Sequence, residues 1–513
     1  MSDVVYRANL KAASFPFLSE LFGRSIIVKG PDQTSPIGKS EPGTTDTANQ
    51  GTPQIYYCHN VLPTDNGYKS IGYTTVTAAT GSTFSKVIGI HDSTGASANL
   101  AVTSSGVLYV MQYGSTVWTA VGTPPVAATI AGKRMTVGFV AGVSYIYFEG
   151  VGGYTYDFTT NNMTATAFTW DAPLTDADIL GLTSNRGYLI AYTTDSVLWS
   201  SLVDPTDFVA SLATGAGGGL LEGARGIIVT IESVYGGFLI FTNGNTVSAI
   251  ASDNTRFPYN FMEVVGAGGL LDPEFVSYDA NSNSVYSYTT AGMQQVSVKG
   301  ATVVFPEVTD FLSGGLLEDY NETTNVLTLT DTAGVVLQKR LVVIASRYVV
   351  ISYGISSLTN ALVYDSGYKQ WGRLKIDHVD CFEFDRQSVE TPRKSLSFLG
   401  SDGSIKTVNM DILNSSANGV MLLGKMQYVR TRLLQLQRVA FENVNTGDSF
   451  TLLDLPAADG KNFGNALSGY LAVSSGKYRE YLFHNTALNH TLVFKGSFNA
   501  VCVVLTFNVT GAR

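Results

Sequence analysis

The chain has 513 residues, of which 45% are apolar and only 14% charged; it carries 52 glycines, 27 tyrosines, 26 phenylalanines and a formal net charge of −9. That composition excludes a disordered chain, which is charge-rich and aromatic-poor, and a helical bundle or coiled coil, which is rich in Ala, Glu, Lys and Leu. The acidic balance argues against a free-standing nucleic-acid binder, and three scattered cysteines, Cys58, Cys381 and Cys502, give neither a disulfide framework nor a CxxC metal pair.

At about 150 residues per domain, the length predicts roughly three domains. Residues 1–54 read as an N-terminal segment and extended arm. Pro31, Pro36, Pro42 and Pro53 interrupt a Ser/Thr/Gly-rich stretch without hydrophobic period. No basic region leads into an apolar one at the N-terminus, so no secretory signal is expected. The longest apolar run, residues 341–355, is too short to cross a bilayer as a helix and is broken by Arg347.

Residues 55–415 form a train of short strand signals, among them Val107-Leu-Tyr-Val-Met111, Gly187-Tyr-Leu-Ile-Ala-Tyr192 and Tyr348-Val-Val-Ile-Ser-Tyr353. They are rich in β-branched and aromatic residues and end at Gly, Asn, Asp or Ser clusters. Gly218-Gly-Leu-Leu-Glu222 recurs as Gly268-Gly-Leu-Leu-Asp272 and Gly314-Gly-Leu-Leu-Glu318. Turn signals accompany the series: Ser104-Ser-Gly106, Gly150-Val-Gly-Gly153, Thr242-Asn-Gly-Asn245, Thr289-Thr-Ala-Gly292, Asp331-Thr-Ala-Gly334 and Ser401-Asp-Gly403. The period of about 45 to 50 residues is that of a four-stranded propeller blade. The expected fold is all-β: a β-propeller of six to eight blades with an N-terminal arm and an additional β-rich domain at 416–513. A multi-sandwich protein is the competing architecture.

Chemical signatures are sparse. Gly38-Lys-Ser40 lacks the upstream glycine of a phosphate loop, and Gly215-Ala-Gly-Gly-Gly219 does not complete G-x-G-x-x-G. Adjacent Cys58 and His59 point to opposite faces of a strand, and His484 and His490 read as structural. Ser401-Asp-Gly-Ser404 is superficially similar to a sialidase turn but occurs once. A propeller glycosidase needs paired carboxylates, and nothing in the sequence selects two. Trp199, the turn Asp204-Pro-Thr-Asp-Phe208 and the hairpin aromatics Tyr364, Tyr368 and Trp371 are expected to pack. As a strand, residues 428–441 would align Arg430, Arg432 and Arg438 on one face, read as a solvated face with local ion pairs. No catalytic, cofactor-binding or metal-ligating residue is assigned, and the chain is not expected to be an enzyme.

Several segments nevertheless resemble one family. Phe15-Pro-Phe-Leu-Ser-Glu-Leu-Phe-Gly-Arg24, Asp32-Gln33, Tyr57-Cys-His-Asn-Val-Leu-Pro63 and Gly67-Tyr-Lys-Ser-Ile-Gly-Tyr73 are similar to the start of the tail nozzle proteins of short-tailed bacteriophages, also called tail tubular protein B or tail stabilisation protein. Leu198-Trp-Ser-Ser-Leu-Val-Asp-Pro-Thr-Asp-Phe208 and Val363-Tyr-Asp-Ser-Gly-Tyr-Lys-Gln-Trp-Gly-Arg373 extend the likeness to about residue 410. The resemblance implies a virion tail protein assembled in the host cytoplasm. Six copies would ring the tail below the portal and adaptor, extend the DNA ejection channel and support fibres or spikes. It implies no cofactor and no membrane anchor. DNA would pass the lumen without specific binding, as an acidic protein allows. The alternative expectation is a tail propeller that binds or hydrolyses host surface polysaccharide.

Overall fold

Runs of alternating or continuous apolar residues bounded by glycine and Asx turns fold here as short antiparallel strands. The computed structural model describes residues 3–9, 26–27, 55–64, 67–77, 80–252, 257–312, 316–321, 326–331, 338–344, 347–386, 393–409, 418–427, 432–443, 450–457, 467–475, 478–487 and 489–512, with positions 254, 323 and 324. The whole of the expected arm at 31–53 lies outside the described residues.

Seven four-stranded units stand around one axis, in which each chain segment runs from the inner to the outer strand. Blade 1 is Phe84–His91, Ser97–Thr103, Leu108–Gln112 and Thr119–Ala120; blade 2 is Met135–Val140, Val143–Phe148, Gly152–Asp157 and Asn162–Thr166. Blade 3 is Gly181–Asn185, Tyr188–Tyr192, Ser196–Trp199 and Gly217–Leu220; blade 4 is Ile228–Val234, Gly237–Thr242, Thr246–Ala251 and Tyr259–Glu263. Blade 5 is Val276–Asp279, Ser284–Thr289, Gly292–Ser297 and Gly300–Val303; blade 6 is Gln338–Ile344, Tyr348–Gly354, Leu358–Asp365 and Gln370–His378. Blade 7 takes Asp380–Arg386, Arg393–Leu399 and Ile405–Asn409 from the end of the train and its outer strand, Gly72–Thr77, from the beginning. The inner strands contact one another in sequence and the last meets the first, so the ring is closed. The fold is a β-propeller with an additional C-terminal β domain.

The inner strands begin at residues 84, 135, 181, 228, 276, 338 and 380. The expected period holds until blade 5. There the helix Pro306–Leu312 and the hairpin Leu316–Asn321/Val326–Asp331 lengthen the step. Five of the turn signals fall on the connection between second and third strands of blades 1, 2, 4, 5 and 7. The sixth, Asp331 to Gly334, runs out of the described residues. The recurrent Gly-Gly-Leu-Leu motif lies on the path from the outer strand of blades 3 and 4 towards the following blade; in the third copy Leu316 to Glu318 open the inserted hairpin, and Gly314 and Gly315 lie outside the described residues. Each blade interface has its own apolar filling. Phe84, Trp118 and Leu399 seal blade 1 against blade 7, while Tyr147, Leu189 and Phe208 lie between blades 2 and 3.

The C-terminal domain packs two sheets. The outer strand of blade 6 continues through Val61–Thr64 and Gly67–Ser70 into Asn499–Ala512, Arg432–Asn443, Tyr478–Ala487 and Tyr470–Ser475. With Asp3–Asn9 beside Asn499–Ala512, this is one eleven-stranded sheet shared by both bodies. The facing sheet is built on Gly419–Gln427, Asn489–Gly496 and Phe450–Ala457, and Ile55–His59 pairs with its first strand. Met421, Leu492 and Phe494 meet Val439, Phe483, Val503 and Leu505 between the sheets. Tyr57 and Tyr320, the latter from the inserted hairpin, cover the other face of the second sheet over Val420, Leu422 and Leu455.

The sequence reading starts the propeller at residue 55, whereas its first strand is Gly72–Thr77 and residues 55–70 join the C-terminal sheets. A half-buried strand carries the same apolar pattern in a blade and in a sandwich, so pattern alone does not name its sheet.

At the seam between the bodies, Gly372 of blade 6 lies under strand Val61–Thr64. A Cβ there would stand 2.5 Å from the Val61 carbonyl oxygen and 2.7 Å from Leu62 Cδ2. Gly372→Val is expected to destabilise the protein by about 1–3 kcal/mol. Hydrogen exchange should speed up over residues 61–70 but not in blade 1, as mass spectrometry of exchanged protein will read.

Candidate functional site at the propeller axis

A propeller brings its inner strands together around the axis. In this chain those strands and the residues leading into them carry Lys86 of blade 1, Arg134 just before blade 2, Glu232 of blade 4, Glu274 just before blade 5, Arg340 of blade 6 and Asp380 of blade 7. Three cations and three carboxyls therefore share one axial mouth.

Most of them are paired. Arg340 donates from Nη2 to Glu274 Oε2 at 2.8 Å and from Nε to Asp380 Oδ1 at 3.0 Å. Its third arm meets the Val379 carbonyl at 3.0 Å, and Asp380 Oδ2 accepts the Val87 amide at 2.9 Å. Lys86 reaches Glu274 Oε1 at 2.5 Å. Blades 1 and 5 are not neighbours, so this pair crosses the axial opening. Arg134 likewise passes over blade 3, donating to the Tyr192 hydroxyl at 2.7 Å, the Val229 carbonyl at 3.2 Å and Thr230 Oγ1 at 2.7 Å.

Arg340 and Asp380 have side chains only 10% and 3% exposed, whereas Lys86 and Glu274 keep 21% and 31%. Burial opposes ionisation of Glu274, but Lys86 and Arg340 override it and hold the carboxyl at about 2. Burial also lowers the Lys86 ammonium from its ordinary range, against the opposing pull of Glu274 and Asp380. Glu232 differs. Its carboxyl makes no hydrogen bond among the described residues, and burial raises it to about 7 against the pull of Arg134 and Lys86.

The other singled-out residues have structural surroundings. Trp199 is buried and donates to the Gly215 carbonyl at 3.0 Å. Phe208 packs 4.7 Å from Trp170, and Tyr364 and Trp371 pack 5.1 Å apart beneath Phe305. Tyr368 lies under the Arg347 guanidinium. Ser401 to Ser404 form the turn of blade 7, where the Gly403 carbonyl accepts the Trp118 indole at 2.9 Å. Cys58 is buried in the sandwich core, and His59 meets the Tyr57 hydroxyl at 2.9 Å.

His484 and His490 fall in different sheets. His490 is fully buried, 2.8 Å from Asp454 Oδ2. The sequence had not marked that partner. Buried His378 contacts Ser352 Oγ at 2.7 Å, but its other nitrogen meets the Ile376 carbonyl at 2.8 Å, and burial lowers it to about 4. That Ser–His contact has no route to a substrate.

A bulge between residues 436 and 438 gives this strand one extra residue against Asn499–Ala512 and breaks the parity that would align the arginine stripe. Arg438 pairs with Glu480 at 2.6 Å, and Arg430 lies outside the described residues. Among the described residues no three His, Cys, Asp or Glu side chains are grouped to hold a metal ion, and no helix is long and apolar enough to cross a membrane.

No family model matches the chain and no curated protein matches it in sequence. Solved structures similar to it include YCF48 bound to D1 peptide, at 11% identity and a TM-score of 0.40 over 68% of this chain and 100% of that one. The WD40 propeller domain of Doa1 is similar at 7% identity and a TM-score of 0.37, over 66% and 98% of the two chains. The extracellular domain of BT4673, a putative one-component system of B. thetaiotaomicron, is similar at 10% identity and a TM-score of 0.43, over 90% and 64%.

Two predictions test the mouth. The unfolded chain loses the Glu232 proton near 4.5, the folded protein only near 7. Its contribution to stability is therefore greatest below about 4.5, is lost as pH rises to about 7, and stays lost above. Glu232→Gln should melt at a higher temperature than the wild type at pH 8 and together with it at pH 4. Arg340→Met leaves Glu274 and Asp380 without their shared cation, and chemical denaturation should register a loss of about 3–5 kcal/mol.

Proposed function

We propose that the chain is a tail nozzle subunit of a short-tailed bacteriophage, a structural virion protein that acts by assembly and channel shape. One observation carries the reading: segments that resemble this family meet at the seam between propeller and sandwich. Residues 57–63 and 67–73 supply the strands that run from the facing sheet to the closing strand of blade 7. Residues 363–373 supply the blade edge on which they dock, with Arg373 paired to Val61 and its guanidinium 4.9 Å from the centre of the Tyr57 ring. Such residues do no chemistry; they fix one body relative to the other, as a subunit of a rigid ring requires.

The electrostatics favour the same reading. A net charge of −9 suits a wall that DNA passes without the phosphate contacts that would hold it. A polysaccharide hydrolase needs two carboxyls available to sugar, whereas Glu274 and Asp380 are both committed to Arg340. In this proposal six copies surround the tail axis below the portal and adaptor, and fibres or spikes attach outside.

A cryo-electron microscopy map of the intact tail tests the proposal. The expected result is a ring of copies around an open or DNA-filled bore. Copies hanging at the periphery with their propeller axes pointing outward would overturn it.

A further inference from the structure

Away from the axial mouth, blades 7 and 1 part to leave a cleft of about 250 Å³ on the face that carries the turns between first and second strands. Gly89, His91, Ser97, Asn99, Tyr113 and Phe382 line it. The opening has a local cause. Gly89 sits opposite Asn99 in the inner strand, and a Cβ placed on it would meet nothing nearer than His91 Nε2 at 3.9 Å. Where a side chain would fill the space between two blades, this chain has none.

The lining has a defined chemistry. The His91 ring nitrogens, Ser97 Oγ, the Asn99 amide and the Tyr113 hydroxyl make no hydrogen bond to protein among the described residues. Four side chains thus offer unused donors and acceptors to one cavity. Tyr113, 40% exposed, and Phe382 add aromatic surface. No Asp, Glu, Lys or Arg is in the lining. Asp92, in the adjoining turn, is occupied by Thr94 and the Ala96 amide. A charged ligand would find no counter-ion here. A ligand with several neutral hydroxyls and an apolar ring face would find partners for both.

We propose that this cleft binds a neutral saccharide, one sugar residue at a time, without cleaving it. The amide, imidazole and hydroxyls take the sugar's hydroxyl groups, the aromatic rings cover its C–H face, and Gly89 gives the depth. Binding at this site does not depend on the nozzle reading, and its failure would leave that reading standing.

The test is saturation-transfer NMR on the full chain, with maltotriose, cellotriose, mannotriose and tri-N-acetylchitotriose as probes. At least one should bind with a Kd of about 0.1–10 mM. Gly89→Val and Tyr113→Ala should each weaken that binding at least about tenfold, while Tyr235→Ala, on an exposed turn of blade 4, should not. Because Tyr113 is exposed, its variant remains informative if Gly89→Val fails to fold. Absence of binding for all four probes at about 10 mM, or binding that survives Tyr113→Ala unchanged, overturns the proposal.

Discussion

The architecture depends on the hydrogen-bond ladder made by residues 55–77. Within that short length the chain pairs with the facing sheet of the sandwich, extends blade 6, joins strand Asn499–Ala512 and completes blade 7. A seven-bladed ring without its last outer strand leaves a row of unpaired amides and carbonyls on blade 7. The sandwich without the same stretch loses its shared sheet with the propeller. One segment therefore satisfies the backbone of both bodies, and neither is complete alone. Shared strands also set the mutual orientation of the bodies, because a sheet edge accepts its neighbour in one register and at one spacing.

Inside the ring a different force operates. The blade interfaces are apolar and local, each filled by side chains of adjacent blades. The axial mouth is ionic and long-range: Lys86 of blade 1 meets Glu274 beside blade 5, and Arg340 binds the acids of the blades on either side. Charges so enclosed persist only when paired. Glu232, which makes no hydrogen bond among the described residues, holds its proton to about neutrality instead.

Local features of this design were legible in the sequence. Turn residues at 104–106, 150–153, 242–245, 289–292 and 401–403 marked five of the seven blades because a tight turn demands particular residues. Blades 3 and 6 escaped: the turn of blade 3 uses Thr193 and Asp195 without a glycine, and that of blade 6 has only Gly354 at the strand end before Ile355 to Ser357, with no Asn or Asp beside it. Lys86 and Glu274 are 188 positions apart. No spacing rule reaches that far, and their pairing exists only once the ring has closed. The arginine stripe misled for the opposite reason: alternation assumes a regular strand, and a bulge resets it. Gly89 looked like any strand glycine, because an empty space between blades leaves no mark on the sequence.

Closure also imposes an order in time. Strand Gly72–Thr77 leaves the ribosome roughly three hundred residues before Ile405–Asn409, the strand it must join. Throughout that interval it is an unpaired β-segment, and blade 7, once made, is an unfinished edge. The contact that completes the propeller is thus among the most non-local in the molecule, and formation of such contacts is slow. Any neighbouring copy at the same stage offers an identical strand to an identical edge. Exchange of that strand between copies would reproduce every hydrogen bond of the seventh blade and link the two chains without a new interface.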